Sequence, residues 1–504
     1  MPLADPRKVG TMELTGVTAG AGGRGGGLEA GRTSLPLVLA LTSVSFFMVA
    51  LDALVVVTAL PAIHHSIGGS IATLEWAVNA YGLTFAAGII TAAALGDRLG
   101  RRRVYVAGLL LFTMASAACA LAPTAGWLIA ARAVQGLGSA AVTPLSLTIL
   151  SSAFPPARRG AIIGIWGGIG GLAIAGGPLV GGAVVQGLNW HWIFWINVPI
   201  GLVAAVLSAI FLPDSRGPAT RLDLPAVPLV AGGAAAIAWA LVQAGSAGWS
   251  DQKAIMAFCL GAVLLAGFVI RERRAAEPML PLRLFRSRTF SAANVSGFLT
   301  SGAIFSAAFL TSQYFQMGLG YSPLATGLRL LPWTATPVLV APAAGALADR
   351  IGARPLLVTG LVMQAAGLAW VAGIAAVGAG YAQFVIPLII AGVGISMTLP
   401  TVATAALGAV PAADIGKASG VNNTMQRFGG AFGVAIATAA FASYGHLGSP
   451  ASVVSGYRPA LAVSAGLSLA GAVAAMAVGR RRTAAAGAGA GPQADMTELQ
   501  AVRG

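Results

Sequence analysis

Charged residues are scarce in this sequence, and their scarcity excludes an ordinary soluble protein. Asp, Glu, Lys and Arg together make up 9% of the 504 residues, whereas a soluble domain carries roughly 25%. Hydrophobic residues make up 57%. They fall in blocks of about 20, which is long enough for a helix to cross about 30 Å of hydrocarbon. Because every backbone polar group must be paired inside that layer, these blocks predict an all-α integral membrane protein.

Cysteine and histidine are scarce as well. Both cysteines, Cys119 and Cys259, lie within apolar blocks, and the four histidines show no ligand spacing, so we expect neither a disulfide nor a metal site. The sequence has no glycine-rich loop ending in Lys-Ser or Lys-Thr to bind a nucleotide. It also lacks the His/Glu/Ser constellation of a membrane enzyme. We therefore expect a protein that is not an enzyme and uses no cofactor.

Acidic residues are half as numerous as basic ones, 15 against 30, which leaves a net charge of +15. Read from a cytoplasmic N-terminus, the basic residues gather in loops on one side, whereas the opposite loops hold only Lys253 and Arg458. This asymmetry is typical of multi-pass membrane proteins. We therefore expect a protein of the cell membrane, inner or plasma, with both termini in the cytoplasm. We expect no nucleic-acid partner, because a basic binding face would need a soluble fold to carry it.

The apolar blocks predict about fourteen transmembrane helices. We place them at residues 35–60, 75–95, 104–122, 126–150, 160–186, 192–212, 224–244, 254–270, 290–314, 324–347, 355–376, 381–407, 419–443 and 457–478. The segments at the two ends, residues 1–33 and 480–504, are rich in Gly or Ala and predict disordered cytoplasmic tails.

A short repeat divides these spans into two halves. Residues 94–102 read ALGDRLGRR after the second span, and residues 346–354 read ALADRIGAR after the tenth. This spacing predicts an N-terminal six-helix half at 34–213, a linker with two extra helices at 214–275 and a C-terminal six-helix half at 276–479. Parallel repeats of this kind are a transporter architecture, with the substrate site near the membrane midplane between the halves.

Asp52 is the only acidic residue that we expect well inside a span. An ionised carboxylate there costs on the order of 2.5–3.5 kcal/mol unless it is paired or hydrated. Counted at 1.5 Å per residue, Asp52 lies roughly 13 Å below the outer end of its span, and Arg132 roughly 9 Å below the outer end of the fourth. Opposite charges at similar depth predict an ion pair that parts when Asp52 is protonated. A purely structural ion pair is the alternative.

Proline marks two further spans. In the fifth span, the segment from Gly177 to Gly182 predicts a break, because Pro178 removes a backbone hydrogen bond and the small residues let helices approach closely. Glycine-rich packing with no moving part is the alternative. Pro332, Pro337 and Pro342 predict a bend in the tenth span.

Several polar and aromatic side chains are weaker candidates. The tryptophans of residues 189–199, at the outer end of the sixth span, predict an interfacial belt rather than a ligand cage. Side-chain amides within the spans are candidate substrate contacts, with helix–helix hydrogen bonds as the alternative for each: Asn79, Gln135, Asn294, Gln313 and Gln364.

Together these segments resemble the major facilitator superfamily, specifically its fourteen-spanner drug:proton antiporter branch, over about residues 35–478. The segment 96–102 is similar to the cytoplasmic loop motif, with Ala93 where its leading Gly usually stands. Segment 132–138 resembles the fourth-helix motif whose Arg is implicated in proton coupling. Segment 177–182 resembles the fifth-helix motif associated with antiporters, and segment 192–199 a stretch typical of this branch. The residues implicated in conformational change are Gly96, Asp97, Arg98, Gly100, Arg101, Arg102, Gln135, Gly136, Gly177, Pro178, Gly181, Gly182, Asp349 and Arg350.

Two departures from the branch pattern bear on the substrate. Leu54 and Val57 stand where Thr and Asn are often found in the first helix. The second half also lacks the membrane carboxylates that many multidrug members for organic cations carry, which argues against a preference for bulky dications.

The resemblance implies a proton-coupled antiporter that exports small amphipathic compounds, such as drugs or antibiotics, by alternating access. Asp52 would be the protonation site, coupled to Arg132, and the proton gradient would drive transport. The expected partners are a small-molecule substrate, protons and the lipid bilayer, and we expect a monomer. The alternatives are a dedicated exporter or flippase of an endogenous metabolite or lipid, a proton symporter for uptake, and a non-transporting membrane receptor or scaffold.

Overall fold

The protein is described by a computed structural model of residues 34–68, 71–216, 225–275, 282–411, 414–446 and 448–479. These residues form helices joined by short loops and contain no strand, which confirms the predicted all-α fold. The two predicted tails, 1–33 and 480–504, lie outside the described residues.

The first half begins with five long helices and ends with a broken one. Its helices are α1 (Leu35–Ile67), α2 (Ile71–Leu99), α3 (Arg101–Ala120), α4 (Ala125–Ala153), α5 (Pro156–Gly187), α6 (Trp192–Trp195) and α7 (Asn197–Phe211). Thr124 ends the loop before α4, where its hydroxyl accepts a hydrogen bond from the Trp127 amide, one of the first-turn donors that have no partner within the helix.

The second half follows a helix pair. The pair is α8 (Ala226–Ala247) and α9 (Gln252–Arg274). The second half comprises a 3₁₀ turn (Leu282–Arg286), α10 (Arg288–Gln313) with its π-helical end (Tyr314–Gly318), α11 (Pro323–Thr334), α12 (Thr336–Ile351), α13 (Ala353–Ile374), α14 (Ala382–Leu407), α15 (Ile415–Tyr444) and α16 (Pro450–Ala475).

Every predicted span overlaps one of these helices or a pair of them. Among the described residues, 10 helices are long and apolar enough to cross a membrane, or 11 if a bent pair in α2 counts as one span. The chain is therefore a multi-pass membrane protein, whereas the count of fourteen spans stays a prediction.

The two halves contact each other mainly through two pairs of helices. Helix α5 packs against α11, and α2 packs against α15, while α8 lies against both α2 and α15. The α5–α11 contact involves the C-terminal end of α5 and the N-terminal end of α11, which lie on the side that the loop charges predict to be outer. We call this side of the protein the outer side.

The structure corrects the prediction for the fifth span. Helix α5 continues through Pro178 without a break, because a proline removes one hydrogen bond and the turns on either side keep theirs. The tenth span does divide, into α11 and α12, at Ala335. In the aromatic segment, Trp192 is exposed as a belt residue would be, but Trp190 is buried and stacks on His191.

The two repeated loops turn in the same way. Gly100 and Gly352 both adopt a positive φ, 110° and 89°, a conformation that favours glycine. In the first loop, Asp97 accepts a hydrogen bond of 2.8 Å from Arg101, and Arg102 donates to the Leu212 carbonyl at 3.1 Å. Arg98 is exposed, as is Arg350 in the second loop, where the side chain of Asp349 lies outside the described residues.

Candidate functional site

A buried ion pair occupies the centre of the first half. Asp52 of α1 and Arg132 of α4 are both buried, and Arg132 Nη1 donates to Asp52 Oδ2 at 2.5 Å. The structure thus brings together the two side chains that depth counting had paired. A contact between charges in a low-dielectric interior is strong, and removing one partner leaves an uncompensated charge.

Three polar side chains complete the surroundings of the Asp52 carboxylate. Its Oδ1 accepts hydrogen bonds from Gln135 Nε2 at 3.0 Å and from Asn197 Nδ2 at 2.9 Å. Both amides also donate to the Ser116 hydroxyl, at 3.1 and 3.0 Å. The carboxylate thus joins α1 to α4 and α7, and the two amides extend the network to Ser116 of α3.

Arg132 is held equally closely. Its Nε donates to the Ala77 carbonyl at 3.1 Å, and Nη1 also reaches Gln135 Oε1 at 2.7 Å. The guanidinium lies 4.1 Å from the ring centroid of Tyr81, a cation–π distance. Its Nη2 has no hydrogen-bond partner among the described residues.

The planar guanidinium is needed for these contacts, since a lysine ammonium is a point charge. We expect Arg132→Lys to keep the charge and lose either the Ala77 or the Gln135 hydrogen bond, which costs about 1.5–3 kcal/mol. The measurement is the thermal unfolding midpoint in detergent, with the exposed Arg98→Lys as control. An unchanged midpoint in the Arg132 variant would show that the ion pair alone holds the network.

A cavity lies beside this network, between the two halves. It encloses about 1140 Å³ of space between atoms, part of it open to solvent. Its lining is mainly apolar, which is the usual character of a small-molecule site. The lining residues are Leu54, Val57, Thr58, Pro178, Ser301, Ile304, Phe305, Ala308, Leu330, Trp333, Thr334, Pro337, Ile395, Leu399, Asn423, Gln426 and Arg427.

Helix α1 connects the ion pair to the cavity and to the second half. Leu54, within the turn that follows Asp52, lines the cavity. Two carbonyls of the same helix accept hydrogen bonds from α10 and its π-helical end: Val57 from Ser312 at 3.3 Å and Thr58 from Gln316 at 2.9 Å. Asp52, part of the cavity wall and the hydrogen bonds to the second half therefore lie on the same helix.

Glycines of α2, α4 and α5 allow these helices to approach their neighbours closely. A Cβ on Gly136 would overlap the Tyr81 carbonyl of α2, and one on Gly181 would overlap Thr58 of α1. A Cβ on Gly177 would approach Leu54 Cβ to 2.8 Å, and one on Gly96 would overlap Leu145. Gly182 instead faces the second half, where a Cβ would overlap the Pro323 carbonyl.

The five predicted substrate contacts do not meet in one place. Gln135 belongs to the Asp52 network. Asn294 donates to the Phe290 carbonyl at 2.8 Å and accepts from Asn422, a helix–helix contact. Gln313 and Gln364 are buried with no side-chain partner among the described residues, and neither lines the central cavity. Asn79 lines a smaller neighbouring cavity that also contains Arg427.

The structure shows a second buried acidic residue, Glu75, that the sequence did not single out. Glu75 lies in the first part of α2, which begins at Ile71 and not at the predicted residue 75. Its Oε1 accepts a hydrogen bond of 2.8 Å from Asn79. Its Oε2 has no partner among the described residues.

Two other residues of the site were missed by sequence reasoning. Asn197 stood in the aromatic segment 192–199, but nothing in that segment showed that its amide faces Asp52. Arg427 was visible as a charge inside a predicted span, yet its place in the cavity depends on how α15 faces the first half.

Comparison with known proteins adds an independent observation. A sequence profile described as Major Facilitator Superfamily matches residues 42–331 and 293–503. The chain is 37% identical over 415 residues to the multidrug resistance protein Stp of Mycobacterium tuberculosis (strain CDC 1551 / Oshkosh), covering 82% of this chain and 77% of the relative. It is 34% identical over 403 residues to the tetracenomycin C resistance and export protein of Streptomyces glaucescens, covering 80% and 74%. A crystal structure of the peptide transporter POT in complex with sulfate matches the fold with a TM-score of 0.63 at 16% identity, over 88% of this chain and 94% of that chain.

Proposed function

Because the chain belongs to the drug efflux branch of the major facilitator superfamily, we propose that this secondary transporter exports small amphipathic compounds in exchange for protons. One observation carries the proposal: α1 bears the buried carboxylate, part of the cavity wall and hydrogen bonds to the second half. Because the proton and the substrate would both bind at α1, the binding of one can change the affinity of the protein for the other.

The proposed cycle uses the residues described above. In the proposed state with the outer ends of α5 and α11 in contact, the protein takes up substrate from the predicted cytoplasmic side. After the halves rock, the substrate leaves and Asp52 takes a proton from outside. Neutral Asp52 no longer balances Arg132, and the return to the present arrangement ends with release of the proton inside.

The proton gradient supplies enough energy for useful export. At a membrane potential of about 100 mV, one entering proton brings roughly 2.3 kcal/mol. At about 1.4 kcal/mol per tenfold, this sustains a substrate gradient of roughly fifty-fold. In this proposal fourteen helices cross the membrane, with residues 214–275 as a linker between the two six-helix halves, both termini in the cytoplasm and a monomer as the working unit.

The test is transport by the purified protein in liposomes. We expect uptake of tetracenomycin C, the compound in the name of the Streptomyces relative, when an imposed pH gradient points protons outward through inversely oriented protein. A protonophore should abolish that uptake, and substrate should in turn release protons. Uptake that ignores the protonophore would contradict proton coupling.

A dedicated exporter of one endogenous metabolite or lipid is the second candidate, and the apolar lining of the cavity is compatible with it. A panel of antibiotics and dyes in the same liposomes separates the two functions. Transport of several unrelated compounds supports a drug exporter, whereas gradient-driven transport of one compound class alone supports the dedicated exporter.

A further inference from the structure

Arg427 of α15 is a cation inside the proposed substrate cavity. Its side chain is half-buried and lines both the central cavity and the smaller one beside it. Its guanidinium lies 4.2 Å from the ring centroid of Phe85 on α2. The residue therefore stands between the two halves, within reach of anything that occupies the cavity.

The guanidinium has no anionic partner in the part of the chain that the structure describes. No ion pair and no hydrogen bond joins it to another described residue, and its contact with Phe85 supplies only the face of a ring. By contrast, the deeply buried arginine of the first half, Arg132, is neutralised by Asp52. An unpaired charge in a low-dielectric site is unfavourable. An anion bound beside Arg427 would therefore be stabilised.

The other described residues that line the central cavity carry no negative charge. Its described lining contains no Asp and no Glu. The polar groups beside Arg427 are the amides of Asn423 and Gln426, whereas the remaining wall includes the aromatic rings of Phe305 and Trp333. The cavity thus combines one cationic corner with a large apolar surface.

We propose that the cavity selects amphipathic compounds that carry an anionic group, such as a sulfonate, carboxylate or phenolate, and that Arg427 binds that group. The apolar body of the compound lies against Phe305 and Trp333. This inference rests on the proposed export function, and it names the class of compound that the site takes. Guanidinium groups suit carboxylates and similar oxyanions because their paired N–H donors match the oxygen geometry.

The test compares two xanthene dyes of similar shape and opposite fixed charge, anionic sulforhodamine B and cationic rhodamine 6G. Binding is measured by fluorescence anisotropy on detergent-solubilised protein, which requires no gradient, and transport in liposomes under a pH gradient. We expect the wild type to bind and carry sulforhodamine B in preference to rhodamine 6G. Arg427→Gln should weaken sulforhodamine B binding by about tenfold to a hundredfold, as expected for the loss of a charged hydrogen bond.

Two further variants distinguish a loss of anion binding from a folding defect. Arg427→Lys retains the charge and should restore a large part of sulforhodamine B binding. Arg458→Gln is the control at an arginine that does not line the cavity; the Arg458 Nε donates to the Ala375 carbonyl at 2.8 Å. This variant should bind both dyes as the wild type does. Equal sulforhodamine B binding by wild type and Arg427→Gln, or a wild-type preference for rhodamine 6G, would overturn the inference.

The two proposals fail in different ways. Gradient-driven transport of rhodamine 6G without sulforhodamine B would leave proton-coupled export standing and remove the anionic preference. Sulforhodamine B binding that depends on Arg427, with no gradient-driven transport of any compound, would support the binding site and contradict the export mechanism.

Discussion

Replacing Asp52 with asparagine is expected to abolish proton-driven accumulation of substrate in liposomes while leaving exchange of substrate down its own gradient. The amide fills the same space and keeps an oxygen for Arg132, but it cannot take up or release a proton. Because it also leaves the Arg132 charge without its counterion, we expect a loss of about 3–5 kcal/mol of stability. The measurements are gradient-driven uptake, equilibrium substrate exchange and the thermal unfolding midpoint on the same preparation.

The matched control is Glu75→Gln, which replaces a second buried carboxyl of the same half with an amide. Glu75 has no cationic partner among its hydrogen bonds, and the glutamine oxygen can accept from Asn79 as the carboxyl oxygen does. We expect this variant to keep gradient-driven uptake. Full coupled uptake by Asp52→Asn would contradict the proposed proton site, and loss of coupling in Glu75→Gln alone would assign that role to Glu75.

Replacing Gly182 with valine is expected to inhibit transport strongly and leave the protein folded. A Cβ at Gly182 would overlap the Pro323 carbonyl, and one at Gly327 would overlap the Pro178 carbonyl, so the outer ends of α5 and α11 approach backbone to backbone. Overpacking costs about 1–3 kcal/mol, and here it falls only on the state in which these ends touch. The equilibrium between states should therefore shift by roughly fivefold to more than a hundredfold toward the outward-open form.

The shift is measured as a distance between spin labels at Leu188 and Leu328, which are exposed positions just beyond α5 and on α11. Gly168→Val is the control on α5, since a Cβ there meets nothing within 4 Å and the position is exposed. We expect a longer distance and slower transport in Gly182→Val alone. The same distance distribution in all three proteins would show that the α5–α11 contact does not limit the closed state.

The two predictions test different parts of one mechanism. Asp52 concerns which ion drives the cycle, and Gly182 concerns whether the halves must close on the outer side. We expect Asp52→Asn to lose proton coupling and still close on the outer side. We expect Gly182→Val to close poorly and keep the Asp52–Arg132 ion pair. Together these results would show that the proton site and the moving contact are separate.

The sequence by itself determined the features that depend on one dimension, namely position along the chain and depth in the membrane. Long apolar blocks predicted an all-helical membrane protein, because hydrocarbon offers no other partner for backbone polar groups. The repeat at residues 94–102 and 346–354 predicted an internal duplication, and Gly100 and Gly352 in its two copies both adopt a positive φ. Counting residues from span ends also placed Asp52 and Arg132 at similar depth, because helical rise is constant.

The tertiary structure alone decided which side chains face one another around the helix axes. Helix amphipathicity is a weak guide here, since lipid and protein core are both apolar. For that reason the sequence could not assign Asn197 and Ser116 to the hydrogen-bond network around Asp52. Nor could it show that Gln313 and Gln364 lie outside the central cavity. The burial of Glu75 and the position of Arg427 between the halves likewise follow from how α2 and α15 pack together, a long-range contact that leaves no local signal in either helix.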